Sequence, residues 1–86
     1  MILYMGGLGK SREEAVIIRG ALDEIEGVNS EYNWLEQNFG EENLEWEMLG
    51  QELIDEGDRQ YDILRIKFLN GEVKEFWFDI TEFYGE

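Results

Sequence analysis

A chain of 86 residues, 43% apolar and with twelve aromatics (three Trp, four Tyr, five Phe), has material for one hydrophobic core and too little length for two. Its 21 acidic side chains face seven basic ones, the net charge is −14, and there is neither Cys nor His. These facts exclude disulfides and thiolate chemistry, remove the commonest general base and transition-metal ligand, and set the surface against DNA, RNA and anionic lipid, which would all repel it.

The run Met1-Ile2-Leu3-Tyr4-Met5 is apolar but short, has no basic leader and meets Gly6-Gly7 at once. It reads as a short strand and not as a signal peptide, and no apolar run nears the ~20 residues of a bilayer span. The expectation is a cytoplasmic protein without a membrane partner. Ser11-Arg12-Glu13-Glu14 has capping-box spacing, and Ala15, Ile18, Leu22 and Ile25 recur behind it at helical intervals, with Ile17 and Ala21 widening the stripe. This pattern predicts a helix over 11–26, with Gly27 as its C-terminal cap. A second, shorter helix is predicted from Asn29 or Ser30, with Tyr32, Leu35 and Phe39 on one face and Gly40 as its stop.

The period then changes. Leu44, Met48 and Leu49 could share a helical face, but Gly50 disfavours a helix, so 44–54 reads as a first strand. Asp55-Glu56-Gly57-Asp58 supplies a tight turn. Asn70-Gly71 joins 61–69 to 72–80, both rich in β-branched and aromatic residues, and is the strongest two-residue hairpin signal. The predicted fold is α+β and a single domain over 1–86. Two short N-terminal helices pack on a C-terminal three-stranded antiparallel β-meander, with room for a short N-terminal strand.

A two-residue turn sets Leu69 opposite Glu72. One hairpin face then carries Tyr61, Ile63, Arg65, Lys67, Lys74, Phe76, Phe78 and Ile80, and the other Asp62, Leu64, Ile66, Phe68, Val73, Glu75, Trp77 and Asp79. Both faces are substantially apolar, and two short helices cover only one. The uncovered face calls for the N-terminal segment, a second copy of the chain or another partner.

The charge is concentrated. Glu31, Glu36, Glu41, Glu42, Glu45, Glu47, Glu52, Asp55, Glu56 and Asp58 fall within residues 31–58, which contain no Lys or Arg. The flanks are close to balanced. A solvated face normally mixes signs, so this block reads as a partner-binding surface with a directional field. Trp46, set among Glu42, Glu45 and Glu47, has the pattern of an aromatic anchor inside a charged rim, and equally that of an inward-facing core residue.

Other motifs carry less. Gly6-Gly7-Leu8-Gly9-Lys10-Ser11 resembles the end of a phosphate-binding loop, but Tyr4 stands where the first Gly of that pattern belongs. The Asp55–Asp58 turn lacks the spacing of a calcium loop. Glu45 and Glu47 lack the apolar cleft that would split their proton affinities for acid–base work. No catalytic residue, cofactor or metal ligand is assigned, and the chain is expected not to be an enzyme.

Residues 39–49, Phe-Gly-Glu-Glu-Asn-Leu-Glu-Trp-Glu-Met-Leu, loosely resemble the acidic motif of barstar-type nuclease inhibitors, with spacing that differs by a couple of positions. The C-terminal hairpin does not fit that family. The resemblance implies only an acidic surface that blocks a basic cleft. The expected function is a non-enzymatic inhibitor whose carboxylates mimic nucleic-acid phosphates and occupy the basic surface of a nucleic-acid-binding protein, in the manner of phage anti-restriction or anti-CRISPR proteins. The alternatives are a homo-oligomeric or scaffold domain that pairs through the hairpin face, and an immunity protein for a nuclease toxin.

Overall fold

The computed structural model describes residues 1–85. It contains one helix and a five-stranded mixed sheet: β1 (Leu3–Gly6), β2 (Val16–Arg19), α1 (Glu24–Phe39), β3 (Trp46–Asp55), β4 (Gln60–Phe68) and β5 (Val73–Asp79). Strand order is β1-β2-β5-β4-β3. β2 pairs parallel with β5 and the other three pairings are antiparallel. β2 and β3 therefore run the same way, and α1 is the crossover between them. It lies over the strands they enclose, β5 and β4, and buries Trp34 and Leu35 there.

This corrects the expectation of two helices on a three-stranded meander. The predicted helix over 11–26 does not form. Ser11 does engage Glu14, whose N–H donates to both the Ser11 carbonyl and Oγ, but only one turn results. The β-branched run Val16-Ile17-Ile18 that follows pairs with β1 and β5 instead. Gly20, at φ +88°, ends this strand where its Cα abuts the Met1 carbonyl. The helix starts later, with Asp23 as N-cap accepting from the Glu26 N–H at 2.9 Å. Gly27 is not a cap but an interior helical residue, and a Cβ there would overlap the Phe83 ring. The stop at Gly40 is where the spacing put it, with φ +96° and its N–H on the Glu36 carbonyl.

β3, β4 and β5 do run as an antiparallel meander, with a register one residue away from the predicted one. The β4–β5 loop has three residues, Leu69, Asn70 and Gly71, closed by the Phe68 N–H on the Glu72 carbonyl. Only Gly71 takes positive φ, and Asn70 instead accepts the Glu72 N–H on its side chain. A type I turn followed by a left-handed Gly has this form, whereas the two-residue turn needs positive φ at both positions. One residue of slip exchanges the faces of β5. Phe76 and Phe78 now lie beside Leu64 and Ile66 beneath the helix, since Leu64 pairs with Phe76 and Asp62 with Phe78. Trp34 meets Phe76 and Phe78 at ring-centroid distances of 5.8 and 5.5 Å.

The opposite sheet face mixes apolar and charged side chains: Tyr61, Ile63, Val73 and Trp77 share it with Arg65, Lys67, Glu75 and Asp79. Tyr61 and Trp77 stack edge-on at 5.7 Å, and the Arg59–Asp79 and Arg65–Glu75 ion pairs flank them. The β1–β2 connection reaches toward it, Arg12 bonding Glu56 at 2.6 Å. Among the described residues, no helix is long and apolar enough to cross a membrane.

Candidate functional site

β3 is an edge strand, so its side chains and one row of main-chain groups border solvent. Glu47, Glu52 and Asp55 are exposed along it. Glu36 near the helix end and Glu41 and Glu45 in the α1–β3 connection extend the row, with Glu42 half-buried beside them. Asp58 adds a further exposed carboxylate at the β3–β4 turn. Of the acids in 31–58, only Glu56 forms an ion pair among the described residues. Asp55 is held by its own turn: its Oδ1 accepts from Gln60 Nε2 at 3.0 Å and the Gly57 N–H at 2.9 Å, which together hold its carboxyl below the usual range.

Apolar side chains interleave with these acids. Leu44, Leu49 and Leu53 are 62%, 46% and 48% exposed along this edge and its approach. A break in register between Met48 and Gly50 gives β3 a bulge in the middle of this row. Glu47 and Glu52 share the sheet face of Lys67 and Ile63, while Leu53 and Asp55 lie on the helix side, so carboxylates and leucines flank the unpaired main-chain groups of the edge from both sides.

Two of the predicted surface residues are not on the surface. Trp46 is 2% exposed, its Nε1–H donates to the Gly40 carbonyl at 2.7 Å, and its ring packs near Tyr32. Its neighbours point outward because alternate residues of a strand face opposite sides, so it belongs to the core. Glu31 has no exposed surface at all. It sits on the inner face of α1 opposite Asp62 of β4, where burial, and then the Asp62 charge, push its carboxyl up to about 10. Asp62 is also raised, first by its own burial, while contacts with Glu31 and Gln51 oppose the shift. Glu31 is fully buried and Asp62 only 4% exposed, so the pair has the raised proton affinity of an acid–base site but lies in the interior.

The Gly6–Ser11 segment joins two strands and leads into no helix, so it lacks the helix N-terminus that a phosphate loop requires. It instead borders a groove with Trp34, Phe39 and Phe76, which sequence reasoning missed. Its bases and rings come from residues as far apart as Lys10, Trp34, Arg65 and Phe76, so no local signal pointed to it. Comparison with known proteins finds no matching family model, no matching curated protein and no matching solved structure. The likeness to the barstar-type motif thus rests on residues 39–49 alone, and its Trp46 is interior.

Proposed function

We propose that the protein is a non-enzymatic binding protein that uses the β3 edge to engage a basic partner, with nucleic-acid mimicry as its mode. The observation behind this reading is the row of unpaired carboxylates interleaved with exposed Leu44, Leu49 and Leu53 on one free edge. A purely protective edge is served by charge alone. Leucines between the charges suit a partner that offers Lys and Arg around an apolar strip, as the groove of a nucleic-acid-binding protein does. The binding surface consists of Glu36, Glu41, Glu42, Glu45, Glu47, Glu52, Asp55 and Asp58 with the three leucines, and Glu56, already paired with Arg12, stands at its end. A phage anti-restriction or anti-CRISPR protein and an immunity protein for a nuclease toxin share this physics and differ only in their target. A cytoplasmic location belongs to the same reading.

The test is capture of partners from a host lysate at low and at physiological salt, with a Glu41→Gln/Glu42→Gln/Glu45→Gln/Glu47→Gln variant alongside. The captured partner's affinity is expected to fall by about tenfold or more across that salt range and again in the variant. An interaction indifferent to both would overturn the proposal.

A further inference from the structure

β5 lies between β2 and β4, yet β2 reaches it only at Phe78 and Asp79. Gly9 extends the contact by one step, its carbonyl accepting the Trp77 N–H at 2.8 Å. Beyond Trp77 this edge of β5 is open. The Phe68 N–H on the Glu72 carbonyl and the Ile80 N–H on the Gln60 carbonyl fix the parity of the ladder. Even-numbered β5 residues bond to β4, and odd-numbered ones turn their main-chain groups the other way. The N–H groups of Val73 and Glu75 therefore point away from β4, on the side where β2 has already ended.

A groove of about 790 Å³ opens there. Trp34, Phe39 and Phe76 give it an aromatic wall, while Lys10, Arg65 and Lys74 also line it. Three of the chain's seven bases thus gather at one concavity, although acids outnumber bases threefold over the whole sequence. Glu75 is the one acid among the lining residues, and Arg65 holds it at 3.4 Å. Lys10 has no carboxylate within ion-pair distance among the described residues, while Lys74 has Glu72 at 3.8 Å and lies 5.9 Å over the Phe68 ring, half-exposed and able to turn to a second anion.

We infer that this groove binds a small apolar carboxylate, an aryl or short alkyl acid. Its hydrocarbon part lies against Trp34, Phe39 and Phe76, and its anion meets Lys10, Lys74 and the outward N–H groups of Val73 and Glu75. Charge argues for an anion, and the aromatic wall argues for hydrocarbon beside it. The volume is that of a small-ligand site. An added peptide strand fits less well, because only two residues turn main-chain groups outward before Gly9 closes the edge. A second copy, itself at −14, would be repelled. The site lies two strands from the acidic edge and is independent of that reading.

The experiment is a titration of 15N-labelled protein with 2-naphthoate, and with 2-naphthylmethanol as an uncharged counterpart, followed by amide and indole resonances. Naphthoate is expected to move the amides of Val73–Phe76 and Leu8–Lys10 and the Trp34 indole. Affinity should be about tenfold weaker for the alcohol, and weaker by a similar factor for naphthoate with a Lys10→Gln/Lys74→Gln variant whose other resonances are unchanged. Equal affinity for acid and alcohol, shifts centred elsewhere, or no shifts up to the probe's solubility would each overturn the inference. Concentration-dependent movement of the same amides without ligand would also overturn it, by showing a second copy in the groove.

Discussion

Glu31 of the helix and Asp62 of β4 bury their carboxyl groups against each other, and neither oxygen of Glu31 meets a hydrogen-bond donor. Two ionised carboxylates have no proton to share, so in that state both would stand desolvated and mutually repelled. Retention of the proton by Glu31 resolves this. Its O–H then donates to Asp62, which Gln51 also supports. The Tyr32 hydroxyl beside them is raised too, by burial first and then by the neighbouring carboxylates, Glu42 foremost.

The pair makes stability depend on pH in a defined direction. The unfolded chain releases the Glu31 proton at an ordinary carboxylate value, whereas the folded chain keeps it until about 10. Between these values the folded state binds more protons, so stability is fullest below the unfolded value. It declines as pH rises by up to about 1.4 kcal/mol per unit for one such group. Asp62, also raised, acts in the same sense over its own window. Urea unfolding from pH 5 to pH 9 should show the midpoint falling steadily. In Glu31→Gln the amide donates to Asp62 at every pH, so that profile should flatten and lie above wild type at pH 8–9 by about 1–3 kcal/mol. Parallel profiles would mean that Glu31 is ionised in the fold.

Gly27 yields a prediction opposite to helix propensity. In a free helix Gly→Ala is stabilising by about 1 kcal/mol. Here the new Cβ would overlap the ring of Phe83, which is 2% exposed and anchors the C-terminal turn. Gly27→Ala should therefore destabilise by about 1–3 kcal/mol, as overpacking does. Thermal melts of Gly27→Ala with and without Phe83→Leu should show the second change recovering part of the loss.

How far the fold could be read from sequence divides at contacts between distant segments. Gly40 as a helix stop, a strand over 44–54 and a turn at Asn70-Gly71 are local matters, and local chemistry placed them. The capping box at Ser11–Glu14 is also satisfied locally, yet Val16-Ile17-Ile18 are drawn into the sheet by β1 and β5, partners that no window of sequence contains. The hairpin register depended on whether Asn70-Gly71 made the whole loop or only the last two positions of a three-residue one, and that single residue reassigned Phe76 and Phe78. For the acidic surface, counting located the exposed row along β3. It could not separate Glu31 and Trp46 from that row, because strand alternation and the inner face of a helix become visible only with the elements in place.

Trp46 should behave as a core residue. Trp46→Phe removes the bond to the Gly40 carbonyl and part of the contact with Tyr32. A loss of about 1–3 kcal/mol in denaturant unfolding is expected. Under conditions where the variant remains folded, partner affinity should change less than twofold, about 0.4 kcal/mol. A large loss of affinity with unchanged stability would place its ring in the interface instead.

The two roles open to the β3 carboxylates, shielding a free edge and recognising a partner, separate in a variant with Glu47→Gln and Glu52→Gln. Both side chains are exposed and unpaired, so monomer stability should stay within about 0.5 kcal/mol. Shielding predicts that the neutralised edge, with Leu49 and Leu53 still exposed on it, begins to pair with itself. Light scattering would then report concentration-dependent dimers at moderate salt that wild type does not form. Recognition predicts weaker binding of the captured partner and a shallower salt dependence, even at concentrations where the variant is monomeric. The proposed function requires the second effect whether or not the first accompanies it. Self-association with partner affinity intact would reduce the acidic edge to a guard against aggregation.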